Sequence, residues 1–188
     1  QEAAKADDAT GSEIIVTARK REEAIQSVPA SVQVLGGSDL EELGKVTFKD
    51  LQFETPGLYM ENYETRATVT MRGVGTQVPG SGAAVAAHIN GIYMPSTGSS
   101  LGWIFDVGQI EVLKGPQGTL YGRNSTGGAI NINTRRPGKE FDFGAKVEYG
   151  SLDTVRLYAG LDAPLGSDWA VRLAGTITRG DGRIINVA

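Results

Sequence analysis

The chain has 188 residues and a net charge of −4, and it contains 26 glycines, a single histidine and no cysteine. Without cysteine it has no disulfides, thiolate metal sites or thiol catalysis, and any histidine-based metal centre or serine hydrolase triad would depend on His88 alone. The acidic balance gives no footprint for nucleic-acid binding. We therefore predict no metal, no cofactor, no catalytic residue and no nucleic-acid partner, and we interpret His88 as structural.

The beginning of the chain divides into a polar tail and a short strand. Residues 1–12 lack large apolar side chains, which predicts a disordered tail. Residues 13–18 form a segment rich in β-branched side chains, and no hairpin partner is expected next to them in the sequence. Such a strand suits pairing with the sheet edge of another chain, but it is equally typical of the first strand of a domain.

Residues 28–58 have the pattern of one strand followed by two short helices. Apolar and polar residues alternate over 30–34, which is the period of a strand. Residues 38–41 have the spacing of a capping box, and Gly44 stands at the expected end of that helix. A second helix is predicted to begin at Thr47, with Asp50 three positions later, and to end at Pro56.

Residues 59–138 hold most of the glycines between short apolar segments. We predict strands over 68–72, 86–89, 110–114 and 129–133. The connections over 73–82, 95–102 and 115–128 are long and rich in glycine, and long loops in a small domain are usually functional. The pattern predicts a small mixed α+β domain.

The last fifty residues alternate apolar and polar side chains and predict three antiparallel strands joined by turns at 150–153 and 164–168. The shared apolar face comprises Phe141, Phe143, Ala145, Val147, Tyr149, Val155, Leu157, Ala159, Leu161, Trp169, Val171, Leu173 and Ile177. This face either covers a soluble core or contacts lipid while the polar face lines a lumen. The lipid interpretation requires a longer chain, because open sheet edges are not tolerated in lipid and a closed barrel needs at least ~8 strands.

The glycine-rich loops do not match nucleotide-binding motifs. Gly73-Val74-Gly75 lacks the third glycine of a dinucleotide fingerprint and is not expected to open a helix. The loop over 115–124 lacks the Gly-Lys-Ser/Thr ending of a Walker motif. Any energy-dependent process would therefore need a partner that supplies the energy.

The most specific segment of the chain is Ile110-Glu111-Val112-Leu113-Lys114-Gly115-Pro116, which continues through the glycine-rich loop to Ile132. It resembles the plug-domain signature of TonB-dependent outer-membrane receptors. Further segments that resemble this family are Val28-Pro29-Ala30-Ser31-Val32, Asp50-Leu51, Pro56-Gly57-Leu58, Met71-Arg72-Gly73-Val74-Gly75 and Ile89-Asn90-Gly91-Ile92-Tyr93. The resemblance covers residues 13–180 in the expected order.

The resemblance implies an α+β plug, with a small mixed sheet and short helices, followed by the first antiparallel strands of a truncated transmembrane β-barrel. It implies a disordered tail over 1–12, a TonB box over 13–18, a plug over 19–138 and the first three barrel strands over 139–188. The expected location is the outer membrane of a Gram-negative bacterium, in contact with its lipid and with the N-terminus in the periplasm. The alternative is a stand-alone periplasmic or surface ligand-binding module derived from a plug.

The implied function is receptor-mediated active uptake of a scarce nutrient, most often a ferric siderophore, rather than catalysis. Carbohydrates, cobalamin and haem are other substrates of the family, and the residues that select among them lie largely in barrel loops outside this sequence. The energy is expected from TonB, with the ExbB/ExbD complex, which pairs with the N-terminal strand. The mechanism has four steps: ligand binding, release of the strand, pairing with TonB and force-driven rearrangement of the plug.

The resemblance also implies site residues. The TonB-binding residues are Glu13, Ile14, Ile15, Val16, Thr17 and Ala18. The ligand-binding plug loops over 61–66, 76–82 and 95–103 contribute Tyr63, Arg66, Gln77 and Trp103, whose aromatic and guanidinium groups suit a ferric chelate. Arg72 and Lys114 occupy positions that in similar receptors face barrel glutamates, although Lys114 replaces the more common arginine and lacks its bidentate fork.

Overall fold

The computed structural model describes residues 14–17, 21, 23–45, 47–63, 66–75, 83–94 and 105–180. The strands are β1 (Ile15–Val16), β2 (Glu23–Ala24), β3 (Ser31–Gly36), β4 (Leu58–Tyr63), β5 (Arg66–Met71), β6 (Val85–Ile89), β7 (Ile92–Met94), β8 (Val107–Lys114), β9 (Gly128–Thr134), β10 (Asp142–Gly150), β11 (Thr154–Pro164) and β12 (Ala170–Arg179). The helices are α1 (Gly37–Glu42), α2 (Leu51–Glu54) and α3 (Gly118–Tyr121), with single 3₁₀ turns at Ile25–Ser27 and Phe48–Asp50. None of the helices among these residues is long and apolar enough to cross a bilayer.

A five-stranded mixed sheet in the order β3-β8-β9-β6-β7 forms the centre of the N-terminal domain. The β6–β9 pair is parallel and the other pairs are antiparallel. Both faces of β8 and β9 are covered, so these strands read as nearly continuous buried segments. The predicted α+β class is confirmed.

The first face of the sheet is covered by α1, α2 and the β4–β5 hairpin. Ile110 and Val112 of β8 and Ile130 and Ile132 of β9 point to this side and pack with side chains from all three covering elements. Alternate residues of a strand share one face, so Glu111 and Leu113 of β8 lie on the other side, whereas a register shift after Val107 leaves Val107 in the first-face core. This larger apolar cluster is the main hydrophobic core of the N-terminal domain.

The second face of the sheet is covered by the β1–β2 hairpin and by α3. Val16, Val28, Leu113 and Ala129 form a smaller buried cluster there, with Tyr121 at its edge. Polar residues of the central strands also point to this face, as described below. The N-terminal strand therefore lies on the sheet, and the expectation that it has no hairpin partner is wrong: Ile15 pairs with Ala24 and Val16 with Glu23.

The predicted helices over 28–58 are present, but one start is wrong. The helix α1 begins at Gly37 rather than after Ser38, and no side chain caps it. A Cβ atom at Gly37 would lie 1.8 Å from the carbonyl oxygen of Val107, so close backbone packing against β8 sets this helix start. The second start is confirmed, because the backbone N–H and the hydroxyl of Thr47 both donate to the Asp50 carboxylate at 2.8 Å.

All four strands predicted between residues 59 and 138 are present as β5, β6, β8 and β9, with longer bounds than expected. The structure adds β4, β7 and the short helix α3, which lies inside the connection expected to be irregular. The expected loop over 61–66 is largely strand, since Tyr63 and Arg66 are the last paired positions of the β4–β5 hairpin.

The three C-terminal strands form the predicted antiparallel meander in the order β10-β11-β12. Their apolar face is open: Phe143, Val147, Leu173 and Ile177 are each more than 60% exposed. The opposite, polar face lies against the N-terminal domain. Of the two interpretations, the one in which the apolar face covers a soluble core therefore does not describe these residues.

Candidate functional site

The N-terminal strand makes few backbone hydrogen bonds. Its ladder with β2 has two residue pairs, and one further bond runs from the Ile25 N–H to the Ile14 carbonyl at 3.0 Å. Ile14 and Ile15 are about half exposed, whereas Val16 is completely buried in the smaller cluster. Glu13 and Ala18, the outer residues of the predicted TonB box, lie outside the described residues.

The buried carboxylate of Glu111 fixes the end of this strand. Its Oε1 atom accepts the backbone N–H of Thr17 at 2.6 Å and the Thr17 hydroxyl at 2.9 Å. The same oxygen accepts Gln109 Nε2 at 2.8 Å and Asn133 Nδ2 at 3.1 Å, and Oε2 accepts Asn131 Nδ2 at 3.3 Å. Glu111 itself is fully buried.

The strand register explains why these polar groups meet. Glu111 of β8 is opposite Asn131 of β9, and Asn131 is opposite His88 of β6. The three residues therefore form a polar row across the second face of the sheet. Burying a carboxylate away from water costs free energy unless its oxygens accept hydrogen bonds. The neighbouring amides and Thr17 donate these bonds to Glu111.

The polar row continues into α3. Asn131 Nδ2 donates to the Tyr121 hydroxyl at 2.5 Å, and the His88 ring lies 5.0 Å from the Tyr121 ring in an edge-on arrangement. Burial raises the pKa of Tyr121 above its ordinary value; the hydrogen bond from Asn131 opposes this effect, and the charge of Glu111 adds to it. His88 is buried and also contacts Tyr93, which agrees with the structural role predicted for it.

A cavity of about 1100 Å³ opens beside this polar row. Thr17, Gln109, Asn131 and Asn133 line it together with arginines such as Arg135. The same residues bind the Glu111 carboxylate, so the cavity lies directly beside the donors of that carboxylate. In the part of the chain that the structure describes, no group of histidine, aspartate and glutamate side chains is arranged to bind a metal ion.

The two predicted plug–barrel residues lie together at one edge of the domain. Arg72 occupies a tight turn with φ of 51°, next to Gly73, and donates to Ser31 Oγ at 3.1 Å. Lys114 donates to Gln33 Oε1 at 2.8 Å. Burial lowers the pKa of Lys114 and the positive charge of Arg72 lowers it further, and no carboxylate of the described residues forms an ion pair with either side chain.

Of the four predicted ligand residues, the structure describes the backbone of two, Tyr63 and Arg66. Tyr63 and Arg66 end the β4–β5 hairpin as a Cα pair. Gln77 and Trp103 lie outside the described residues. Their role in ligand binding remains a prediction.

The structure also shows a contact that the sequence did not predict. In it, Asp106 of the N-terminal domain accepts hydrogen bonds from the polar face of the meander. Arg172 of β12 donates from Nε to both oxygens of Asp106, at 2.9 and 3.1 Å, and from Nη1 to Asp162 at 2.7 Å. Arg172 Nη2 lies 2.5 Å from Asp106, and Tyr158 also donates to Asp106, at 3.0 Å. Asp106 has a φ of 53°, in the left-handed region that residues other than glycine rarely adopt. The sequence pattern does not predict this backbone conformation.

Known proteins share both the fold and the sequence. A family model described as TonB-dependent Receptor Plug Domain matches residues 24–129, more than half of the chain. The chain is 31% identical over 182 residues to the pesticin receptor of Yersinia pestis, covering 94% of this chain and 27% of that protein. It is 29% identical over 152 residues to the vitamin B12 transporter BtuB of Vibrio vulnificus, covering 77% of this chain and 24% of the transporter.

Solved structures agree with these matches. The ferric yersiniabactin uptake receptor FyuA of Yersinia pestis has a TM-score of 0.66 and 29% identity, over 80% of this chain and 24% of that one. The pyoverdine receptor FpvA of Pseudomonas aeruginosa shares the fold with a TM-score of 0.77 over 95% of this chain and 26% of that one, at 21% identity.

The chain spans about a quarter of the length of the curated relatives that it matches. The family model covers four of the five central strands, the start of β9, the glycine-rich signature loop and the covering helices, and the structural matches extend into the C-terminal strands. The chain belongs to the family of TonB-dependent receptor plug domains.

Proposed function

We propose that this chain is the gating and coupling part of an outer-membrane receptor that imports a scarce nutrient with energy delivered by TonB. The observation that carries the proposal is the N-terminal strand. Its backbone pairs with β2 through a two-residue ladder, and it contacts the central sheet through buried Val16 and through hydrogen bonds at Ile15 and Thr17. It can therefore detach without disturbing the larger core on the opposite face.

The coupling chemistry follows from strand addition. A released strand over residues 13–18 exposes backbone donors and acceptors that can extend the sheet edge of TonB, and a β-ladder transmits force along the chain. The ExbB/ExbD complex would supply that force through TonB. Because the first-face core of the plug does not include the strand, pulling acts first on the strand and the second face.

The proposed substrate is a ferric siderophore. The relatives include the receptor for ferric yersiniabactin uptake and a ferripyoverdine receptor, alongside a vitamin B12 transporter. Tyr63, Arg66, Gln77 and Trp103 would contact the chelate from the outer end of the plug. Aromatic faces and a guanidinium suit an anionic iron chelate better than a neutral sugar.

The proposed location is the outer membrane of a Gram-negative bacterium with the N-terminus in the periplasm. The open apolar face of β10–β12 suits lipid, while the polar face lies against the plug. We assign the tail to residues 1–12, the TonB box to 13–18, the plug to 19–138 and the first three barrel strands to 139–188. Expression of residues 1–188 as a soluble monomer without detergent would contradict this assignment and favour a stand-alone module.

Arg72 and Lys114 are proposed to hold the plug against the barrel. Two neighbouring cations raise each other's electrostatic energy, and the pKa of Lys114 is lowered mainly by burial and further by the charge of Arg72. Carboxylates on barrel strands beyond residue 188 would offset that energy. Each such ion pair in a wet lumen is modest, so the contact can break under force.

Deletion of residues 13–18 from the full-length receptor tests the proposed function. We expect energy-dependent uptake of radioactive iron, supplied as siderophores from iron-limited culture medium of the source bacterium, to be abolished. Binding of the same siderophores to cells at 0 °C should be unchanged, because Val16 packs on the second face of the sheet whereas the β4–β5 hairpin packs on the first. Deletion of residues 5–10 is the matched control and should leave uptake intact; full uptake without residues 13–18 would refute the coupling role.

A further inference from the structure

Glu111 is the most deeply buried acidic side chain of the described residues, and its partners are all neutral. It is fully buried, it accepts five hydrogen bonds, and none of the described lysine or arginine side chains forms an ion pair with it. A buried carboxylate that only neutral donors stabilise depends strongly on each donor. Removal of any one of them raises its energy.

The donors of the five hydrogen bonds come from two parts of the molecule, the central strands and the N-terminal strand. Gln109, Asn131 and Asn133 belong to β8 and β9, and they stay with Glu111 whatever the N-terminal strand does. The other two bonds come from Thr17, at the end of the N-terminal strand. Glu111 therefore loses two of its five donors whenever the strand leaves the sheet.

Two amides tie the strand and the carboxylate together. Asn133 Nδ2 lies 3.1 Å from the Thr17 hydroxyl and 3.1 Å from Glu111 Oε1. Gln109 Nε2 donates to Glu111 and lies 3.2 Å from the Ile15 carbonyl. The strand is thus held at two positions by groups that all converge on one oxygen atom.

We propose that Glu111 is the latch of the coupling strand: its carboxylate holds Thr17 on the sheet and sets how often residues 14–17 detach. This role rests on the proposed TonB coupling and identifies Glu111 as a positioning residue that acts through Thr17. The adjacent cavity makes the latch reversible, because water entering it can replace the two donors that Thr17 withdraws. Without that water the strand would rarely detach, and without the carboxylate charge it would detach more often.

The test uses the full-length receptor with one cysteine introduced at Val16, whose side chain is completely buried when the strand is docked. The rate of thiol labelling without ligand and without TonB reports how often the strand detaches. Glu111→Gln keeps the shape but removes the charge, and hydrogen bonds to a neutral acceptor are about 1 kcal/mol weaker each. Thr17 donates two of these bonds, so the labelling rate should rise about thirtyfold. Glu42→Gln, the same change at an exposed position of α1, should leave the rate unchanged.

A second pair of variants changes the strand side of the latch. Thr17→Val removes the hydroxyl donor and should raise the Val16→Cys labelling rate several-fold, whereas Thr17→Ser keeps the donor and should restore the parent rate. A rate within twofold of the parent in both Glu111→Gln and Thr17→Val would overturn the latch.

A purely structural role of Glu111 predicts a different pattern. In that case Glu111→Gln would loosen the whole second face, and a cysteine at Ala129, buried in the same cluster, would become labelled as fast as one at Val16. The latch predicts faster labelling at Val16 only, and equal acceleration at both positions would refute it. These rates need neither substrate nor TonB, so a failed latch leaves the deletion experiment on residues 13–18 standing, and a failed deletion experiment does not alter the labelling result.

Discussion

Replacement of Arg172 by glutamine should weaken the attachment of the plug to β11 and β12. Arg172 lies between two carboxylates and is the only cation of the described residues that pairs with either Asp106 or Asp162. The side chains of Arg172, Asp106 and Asp162 are only 10%, 13% and 10% exposed. Their interaction is therefore not screened as a surface ion pair would be.

The expected magnitude follows from what the substitution leaves behind. Without the guanidinium, two mostly buried carboxylates lose the cation that they share, and a tyrosine hydroxyl is the main remaining side-chain donor to Asp106. Breaking a buried ion pair by removal of one partner costs about 3–5 kcal/mol. Asp106→Asn leaves the Arg172–Asp162 pair in place and should cost about 1.5–3 kcal/mol, the range for hydrogen bonds to charged groups. Asparagine also tolerates the left-handed backbone of Asp106.

The assay is urea unfolding of the plug inside the full-length receptor in detergent, monitored with a fluorophore on a cysteine introduced at the exposed Glu42 of α1. The double variant should lose less than the sum of the two single losses, with a coupling energy of about 1–3 kcal/mol. Arg156→Gln is the matched control, because Arg156 pairs with Glu148 within the meander and should affect the plug by less than about 1 kcal/mol. Additive losses, or an equal loss with Arg156→Gln, would refute the contact as the attachment of the plug.

Two further predictions concern the plug itself. Gly37→Ala should destabilise it by more than about 3 kcal/mol in the same urea assay, because its Cβ would lie 1.8 Å from the Val107 carbonyl oxygen, whereas Gly118→Ala, with open space around it, should change little; equal effects would contradict the close approach. Because the pKa of Tyr121 is raised above 10.0, its neutral form contributes stability that is fully present below pH 10 and is lost as the pH rises through the folded pKa. Tyr121→Phe should flatten the fall of unfolding free energy above about pH 10, and an unchanged slope would contradict the raised pKa.

The sequence predicted the meander well because its signal is local. A period of two over three successive segments, with turns at fixed places, leaves little choice of pairing once one face must be apolar. The direction of that face was left open by the pattern, and the contact of Arg172 with Asp106 resolves it by placing the polar face against the plug. Such a contact joins residues 66 positions apart, which no local pattern encodes.

The parts that the sequence did not predict depend on tertiary contacts. The start of α1 was assigned to the polar residue Ser38, but the close approach of Gly37 to β8 decides it. The strand β7 was missed although Asn90-Gly91, with φ values of 49° and 80°, is a strong signal of a two-residue hairpin. Glu111 stands between Ile110 and Val112 and so suggests an exposed face, yet both faces of β8 are covered.

The two faces of the central sheet hold their layers by different physical means, and this difference suits the proposed release of the N-terminal strand from one side. The first face joins fourteen buried apolar side chains of the described residues, against six in the second-face cluster. Apolar contact is lost gradually with exposed area and has no single residue whose removal releases it. Hydrogen bonds to one carboxylate break over a short distance and can be replaced by water. A pull on the N-terminal strand therefore meets resistance concentrated at Glu111, while the apolar first face keeps the rest of the domain folded.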